Sequence, residues 1–158
     1  MNPGRILLLF IGAVAAVLVI AAFVATREKD RPTETEYAAA VVDARDRLSD
    51  ALSLTTQSTT PQQVFNRLRV TGTVAHEAAD DLEELGTPEK YEEEGSQLVA
   101  ALRYFGDELD ATADALDDFR ENVVKQLQGL EFKGYTRVQR ALRQLRADGI
   151  DVPLLTGY

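Results

Sequence analysis

Cysteine and tryptophan are absent from the 158 residues, and histidine occurs once, as His76. Without cysteine there is no disulfide-stapled scaffold, no thiolate metal site, no cysteine nucleophile and no attachment of a lipid to cysteine. A di-iron bundle enzyme needs Glu-x-x-His pairs on facing helices, and the residue three before His76 is Thr73. No glycine-rich phosphate loop occurs, and no serine has a clustered base. The expected catalytic, cofactor-binding and metal-binding sets are therefore empty, and the chain reads as a non-enzyme. Strand formers are scarce as well: beyond residue 25 the only isoleucine is Ile150, and no stretch alternates apolar with polar residues.

Apolar residues make up 45% of the chain but are unevenly spread. From Ile6 to Ala25, 19 of 20 positions are apolar, Gly12 being the exception. A helix of that length rises about 30 Å, the hydrocarbon thickness of a bilayer. The predicted organisation is a transmembrane anchor over 1–25, a linker over 26–35 and a soluble helical bundle over 36–158. A cleaved signal peptide is the rival reading, since Arg5 resembles the charged start and Ala13-Val14-Ala15 the small-x-small cleavage form. Cutting there would leave ten apolar residues on the mature end, and cutting after Ala25 would place Phe23 at a position that favours small residues, so an uncleaved anchor is favoured.

Beyond Pro32, apolar residues recur at steps of three and four, the spacing that lines one helix face. A first helix carries Tyr37, Val41, Ala44, Leu48, Ala51 and Leu52, opens on a Thr33/Glu36 capping box and ends in a loop from Ser53 to Thr60. A second starts at Thr60-Pro61 and carries Val64, Leu68, Thr71, Ala75, Ala78, Leu82 and Leu85. Gly86 closes it, and Thr87-Pro88 caps the next in a tight antiparallel hairpin. That third helix is expected to run unbroken from Pro88 to about Gln128, roughly 60 Å, with room for a bend near Gly106 or Asp117. The fourth spans about Tyr135 to Asp148, with Val138, Ala141, Leu142 and Leu145 on one side, and stops at Gly149. The apolar tail from Ile150 is expected to fold back. The fold class is thus all-α, an antiparallel three- to four-helix bundle with one long helix, the fourth doubling back over the distal half of the third.

Charge divides the bundle. Glu34 to Glu121 holds 21 acids and 7 bases, a net of −14, whereas Asn122 to Asp148 holds 2 acids and 6 bases, a net of +4. Asp107, Asp110, Asp114, Asp117, Asp118 and Glu121 cluster on one side of the third helix, and Arg137, Arg140, Arg143 and Arg146 step around the fourth. Carboxylates along one helix with no loop to wrap an ion read as a solvated face rather than a metal site. The arginine helix reads first as the bundle's fourth helix and second as a surface for anionic lipid or an acidic polymer. With both apolar stripes turned inward, Asp107, Asp110, Asp114 and Asp118 of one molecule and the arginines of another become candidates for self-association. Nucleic acid is excluded as a partner by the net charge of −9.

Two stretches, Leu82-Glu83-Glu84-Leu85-Gly86-Thr87-Pro88 followed by Leu98-Val99-Ala100-Ala101-Leu102, and Ala141-Leu142-Arg143-Gln144-Leu145-Arg146-Ala147-Asp148-Gly149, resemble small bacterial membrane-tethered helical proteins of unknown function. The resemblance implies an exported, tethered helical domain and assigns no residue a role. The expected function is a non-enzymatic interaction module of the cell envelope, meeting a protein partner or another copy through the third helix, the fourth helix or the apolar tail, with membrane lipid held by the anchor. The alternative is a ligand-sensing bundle with its ligand between helices near Gly95. Arg27, Lys29 and Arg31 outnumber Arg5 and would by themselves hold the soluble part in the cytoplasm, while the signal-like start and the resemblance favour the outside. Protease added to intact cells is therefore expected to digest the C-terminal part, and added positive charge after Met1 to strengthen that outcome; protection of the C-terminal part would reverse the orientation.

Overall fold

A computed structural model describes residues 31–58, 60–117 and 131–156. The chain clusters into two compact units, Met1–Arg31 and Pro32–Tyr158. The second unit carries every described helix. Among the described residues there are four α-helices and no strand: α1 (Glu34–Thr56), α2 (Pro61–Leu85), α3 (Glu92–Asp117) and α4 (Lys133–Ala147). The expected membrane helix lies outside the described residues, and no described helix is long and apolar enough to cross a membrane.

Local chemistry sets the ends. The Thr33 side chain accepts from the Glu36 backbone N–H, and the Glu36 carboxylate accepts the Thr33 backbone N–H at 2.8 Å, so the capping box closes both ways. Those hydrogen bonds hold the Glu36 carboxyl below its ordinary value of 4.5. Because the folded value is the lower one, the contribution of Glu36 is present above that pH and fades as acid protonates it. The first helix runs to Thr56, through residues expected in the loop: Thr55 returns its hydroxyl to the Ala51 carbonyl and meets the buried Thr71 of α2 at 3.0 Å, which satisfies residues that would otherwise favour a turn. Thr60 caps α2, and Gly86, at φ 80°, ends it. The helix expected at Pro88 begins instead as a 3₁₀ turn, Glu89–Tyr91, with no side-chain cap; α3 proper starts at Glu92. Its expected continuation to Gln128 falls beyond Asp117, outside the described residues.

The helices pack antiparallel in chain order. Arg47 of α1 reaches Asp81 of α2 at 2.7 Å, and Arg69 of α2 reaches Asp114 of α3 at 3.0 Å. A continuous core of Tyr37, Leu48, Leu52, Leu68, Leu82, Tyr91, Leu98, Phe105, Leu109, Leu142 and Leu145 is almost wholly buried, each large apolar side chain contributing about 1.5 to 3 kcal/mol. Burial also pushes the Tyr37 phenol above its ordinary value of 10.0.

Helix α4 lies over the first half of α3, a correction to the expected distal placement. Gly134 faces Phe105 so closely that a Cβ there would lie 2.5 Å from the Phe105 Cα. The Glu108 carboxylate of α3 accepts the backbone N–H groups of Lys133 at 3.2 Å and Gly134 at 2.7 Å, satisfying two of the orphan donors of α4 from a neighbouring helix. Phe132 and Tyr135 meet the Phe105 ring edge-on at 6.1 and 6.4 Å. From this docking point α4 can run only back along α3, ending at Gly149, whose φ of 107° turns the chain.

The tail then enters the seam between α1 and α4. Arg45 donates to the Leu154 carbonyl at 2.8 and 2.6 Å, Gln139 donates to the Leu155 carbonyl at 2.9 Å, and Ser49 accepts the Thr156 N–H at 3.2 Å. Ile150, Val152 and Leu155 are buried beneath it. The tail is therefore part of the core, and its expected use as an exposed docking element does not hold. Gly134→Ala should cost about 2 kcal/mol by forcing α4 off Phe105, read as a lower midpoint in chemical denaturation with an unchanged helical circular dichroism spectrum; an unaltered midpoint would contradict the contact.

Candidate functional site

The acidic row of α3 faces α2. The Nε2 atom of His76 lies 3.6 Å from Asp107 and 3.5 Å from Asp110, while Asp114 pairs with Arg69. Glycines make this approach possible. A Cβ at Gly106 would lie 2.5 Å from the His76 ring, and one at Gly72 would lie 2.6 Å from the Asp110 carboxylate. Nearer the other end of the same interface, Arg103 of α3 binds Asp80 of α2 at 2.9 Å and also Glu83. Its guanidinium is held even further above neutrality by these carboxylates. Asp107, Asp110 and Asp114, expected to act between molecules, thus also approach groups of α2 while staying about half or more exposed, and Asp118 lies outside the described residues. His76 is partly exposed, as expected, but it is also the group around which two of these acids gather. Among the described residues no group of three His, Asp or Glu is arranged to hold a metal ion.

The basic row is different. Val138, Ala141, Leu142 and Leu145 are buried, so Arg137, Arg140, Arg143 and Arg146 are all exposed. None of the four forms an ion pair among the described residues, whereas Arg45, Arg47, Arg69 and Arg103 each do. Arg137 instead stacks on Tyr104 of α3, its guanidinium carbon 3.9 Å from the ring centroid. Stacking fixes the guanidinium plane and leaves its in-plane donors available for an oxyanion.

Beside this row runs an open groove of about 340 Å³ between α3 and α4, lined by Gln97, Ala100, Ala101, Arg137, Arg140, Ala141 and Gln144. Alanines at facing positions form its floor, and their short side chains leave the trough unfilled. The antiparallel pairing sets Gln97 beside Gln144 towards one end and the stacked Arg137 towards the other. The sequence pointed to the arginines but not to Gln97, Gln144 or the alanines; the one signal was the small pair Ala100-Ala101 on the helix opposite Ala141.

The described interior near Gly95 is closely packed. A Cβ at Gly95, where a sensed ligand was expected, would lie 2.6 to 2.7 Å from Thr87 and the Tyr37 hydroxyl. The cavity beneath Leu155, between α1, α3 and α4, measures about 10 Å³, close to the least that holds one water. No protein-family model, curated protein or solved structure matches the chain.

Because Arg140, Arg143 and Arg146 have no ion-pair partner among the described residues, replacing each by Ala should change stability by no more than about 0.5 kcal/mol. Replacing Glu108 by Ala should cost about 1 kcal/mol through the lost cap. Denaturant titration of the four variants checks this, and a loss at Arg140 equal to that at Glu108 would show that the row serves the fold.

Proposed function

We propose that this chain is a non-enzymatic interaction module, held at the membrane by a single N-terminal helix, whose bundle docks a protein partner of the cell envelope through the exposed face of α4. The observation that carries this reading is the contrast in arginine pairing. In a strongly acidic chain, the arginines that pack α1, α2 and α3 together are matched by carboxylates, while the four on α4 have no ion pair among the described residues and two of them, Arg137 and Arg140, line a groove. Unpaired, exposed guanidinium groups are common contact residues in protein interfaces because they keep planar, bidentate donors ready for an external acceptor.

The close packing around Gly95 supports recognition at the surface over sensing at that position, since a buried ligand needs a preformed cavity of several hundred Å³. The engagement of Asp107, Asp110 and Asp114 by His76 and Arg69 supports a partner other than a second copy using that row. The direction of the anchor, with the bundle outside the cytoplasm, belongs to the same proposal.

Crosslinking with mass spectrometry in the native membrane tests the reading. Crosslinks from residues on α4 to a peptide of another protein are expected, reduced in high salt because exposed charge pairs are screened within about 10 Å at 0.1 M. Recovery of lipid adducts alone, or of protein crosslinks only from α1 and α2, would overturn it.

A further inference from the structure

We infer that the groove between α3 and α4 receives an acidic segment of the partner, a stretch of chain that presents neighbouring carboxylates to Arg137 and Arg140. The inference rests on the interaction-module reading and supplies the chemistry of its partner. The groove is open to solvent and not enclosed, which suits a segment of chain better than an engulfed small molecule. Its alanine floor lets a backbone approach closely, and Gln97 and Gln144 offer amide donors and acceptors to main-chain groups at one end. Towards the other end the Arg137 guanidinium sits over the Tyr104 ring, 3.9 Å from its centroid, and a guanidinium carries paired N–H donors that match a carboxylate. Arg140 lies one helical turn away on the same wall, and Arg143 extends the positive surface outward.

Charge complementarity selects the occupant. An acidic segment meets guanidinium groups that need not first leave an internal partner. A lipid surface fits less well. A helix that lies on a bilayer inserts an apolar face, and the apolar stripe of α4 is consumed in the core, while among the described residues the large exposed apolar side chains, Leu54 and Val70, belong to α1 and α2. A polyphosphate backbone lacks the main-chain amide groups that Gln97 and Gln144 are placed to meet.

The test uses the full chain in phosphatidylcholine nanodiscs and, as probe, a short fluorescein-labelled peptide rich in Glu-Glu pairs, with its Gln-for-Glu counterpart as control. Fluorescence anisotropy is expected to show binding of the acidic peptide and not of the control. The double variant Arg137→Gln/Arg140→Gln should weaken binding at least about tenfold, with circular dichroism and melting unchanged, and Arg67→Gln on α2 should leave it intact. Equal binding of the two peptides, indifference to the double variant, displacement by phosphatidylglycerol vesicles at matched charge, or a dimer joined through Arg140 would each overturn the inference. If the acidic peptide fails while native-membrane crosslinks still arise from α4, the partner chemistry is wrong and the module reading stands; if those crosslinks are also absent, both fall.

Discussion

The contact between Gly134 and Phe105 decides how the rest of the unit is arranged. Only a residue without a Cβ lets the first turn of α4 rest on the α3 backbone, and the Glu108 carboxylate, one turn further along, then takes the N–H groups of Lys133 and Gly134. Together they fix where α4 starts, its direction and its rotation about its own axis. That rotation buries Val138, Ala141, Leu142 and Leu145 against α1 and α3. Every arginine of α4 must then face outward, because in a helix the side opposite a buried stripe is the solvent side.

A second consequence is the seam that α4 leaves beside α1. Arg45, Ser49 and Gln139 close it by binding the backbone of the tail, so Ile150, Val152 and Leu155 enter the core without leaving most of their polar neighbours unsatisfied. The opposite edge of α4, towards Gln97 and Ala100, has no such strap among the described residues and forms an open groove. One flank of the helix is thus used for folding and the other is left for contact. The same division runs through the charges: carboxylates of α2 and α3 neutralise the arginines at their own interface, and the arginines of α4 remain as a positive island on an acidic unit.

Much of this architecture was legible in the residues. Thr33 with Glu36, Thr60 with Pro61, and Gly86 marked helix ends that the structure places at or within a residue of the expected positions, because capping chemistry is local. The buried stripes of α1 and α2 followed from spacing alone. Placement of α4 did not follow, since nothing in its periodicity says which half of α3 it covers; that depends on Gly134 meeting Phe105, a contact between positions 29 residues apart in the chain. The tail was read both as able to fold back and as a docking element, and composition could not choose between the two. The acidic row was expected to face solvent, and Asp107 and Asp114 do remain largely exposed, but a helical wheel cannot show that Gly72 and Gly106 bring α2 close enough for His76 and Arg69 to reach the row.

The position of α4 over the proximal half of α3 is the claim from which the groove, the exposed arginines and the proposed docking all derive. Because the chain has no cysteine, it is tested most directly by installing cysteine pairs and treating the folded protein with a short bis-maleimide. The double variant Gln97→Cys/Gln144→Cys, both positions exposed, should crosslink within the molecule rapidly, while Ala111→Cys/Gln144→Cys should stay unlinked. Preferential linkage of position 144 to position 111 would place α4 on the distal half of α3 and remove the groove altogether.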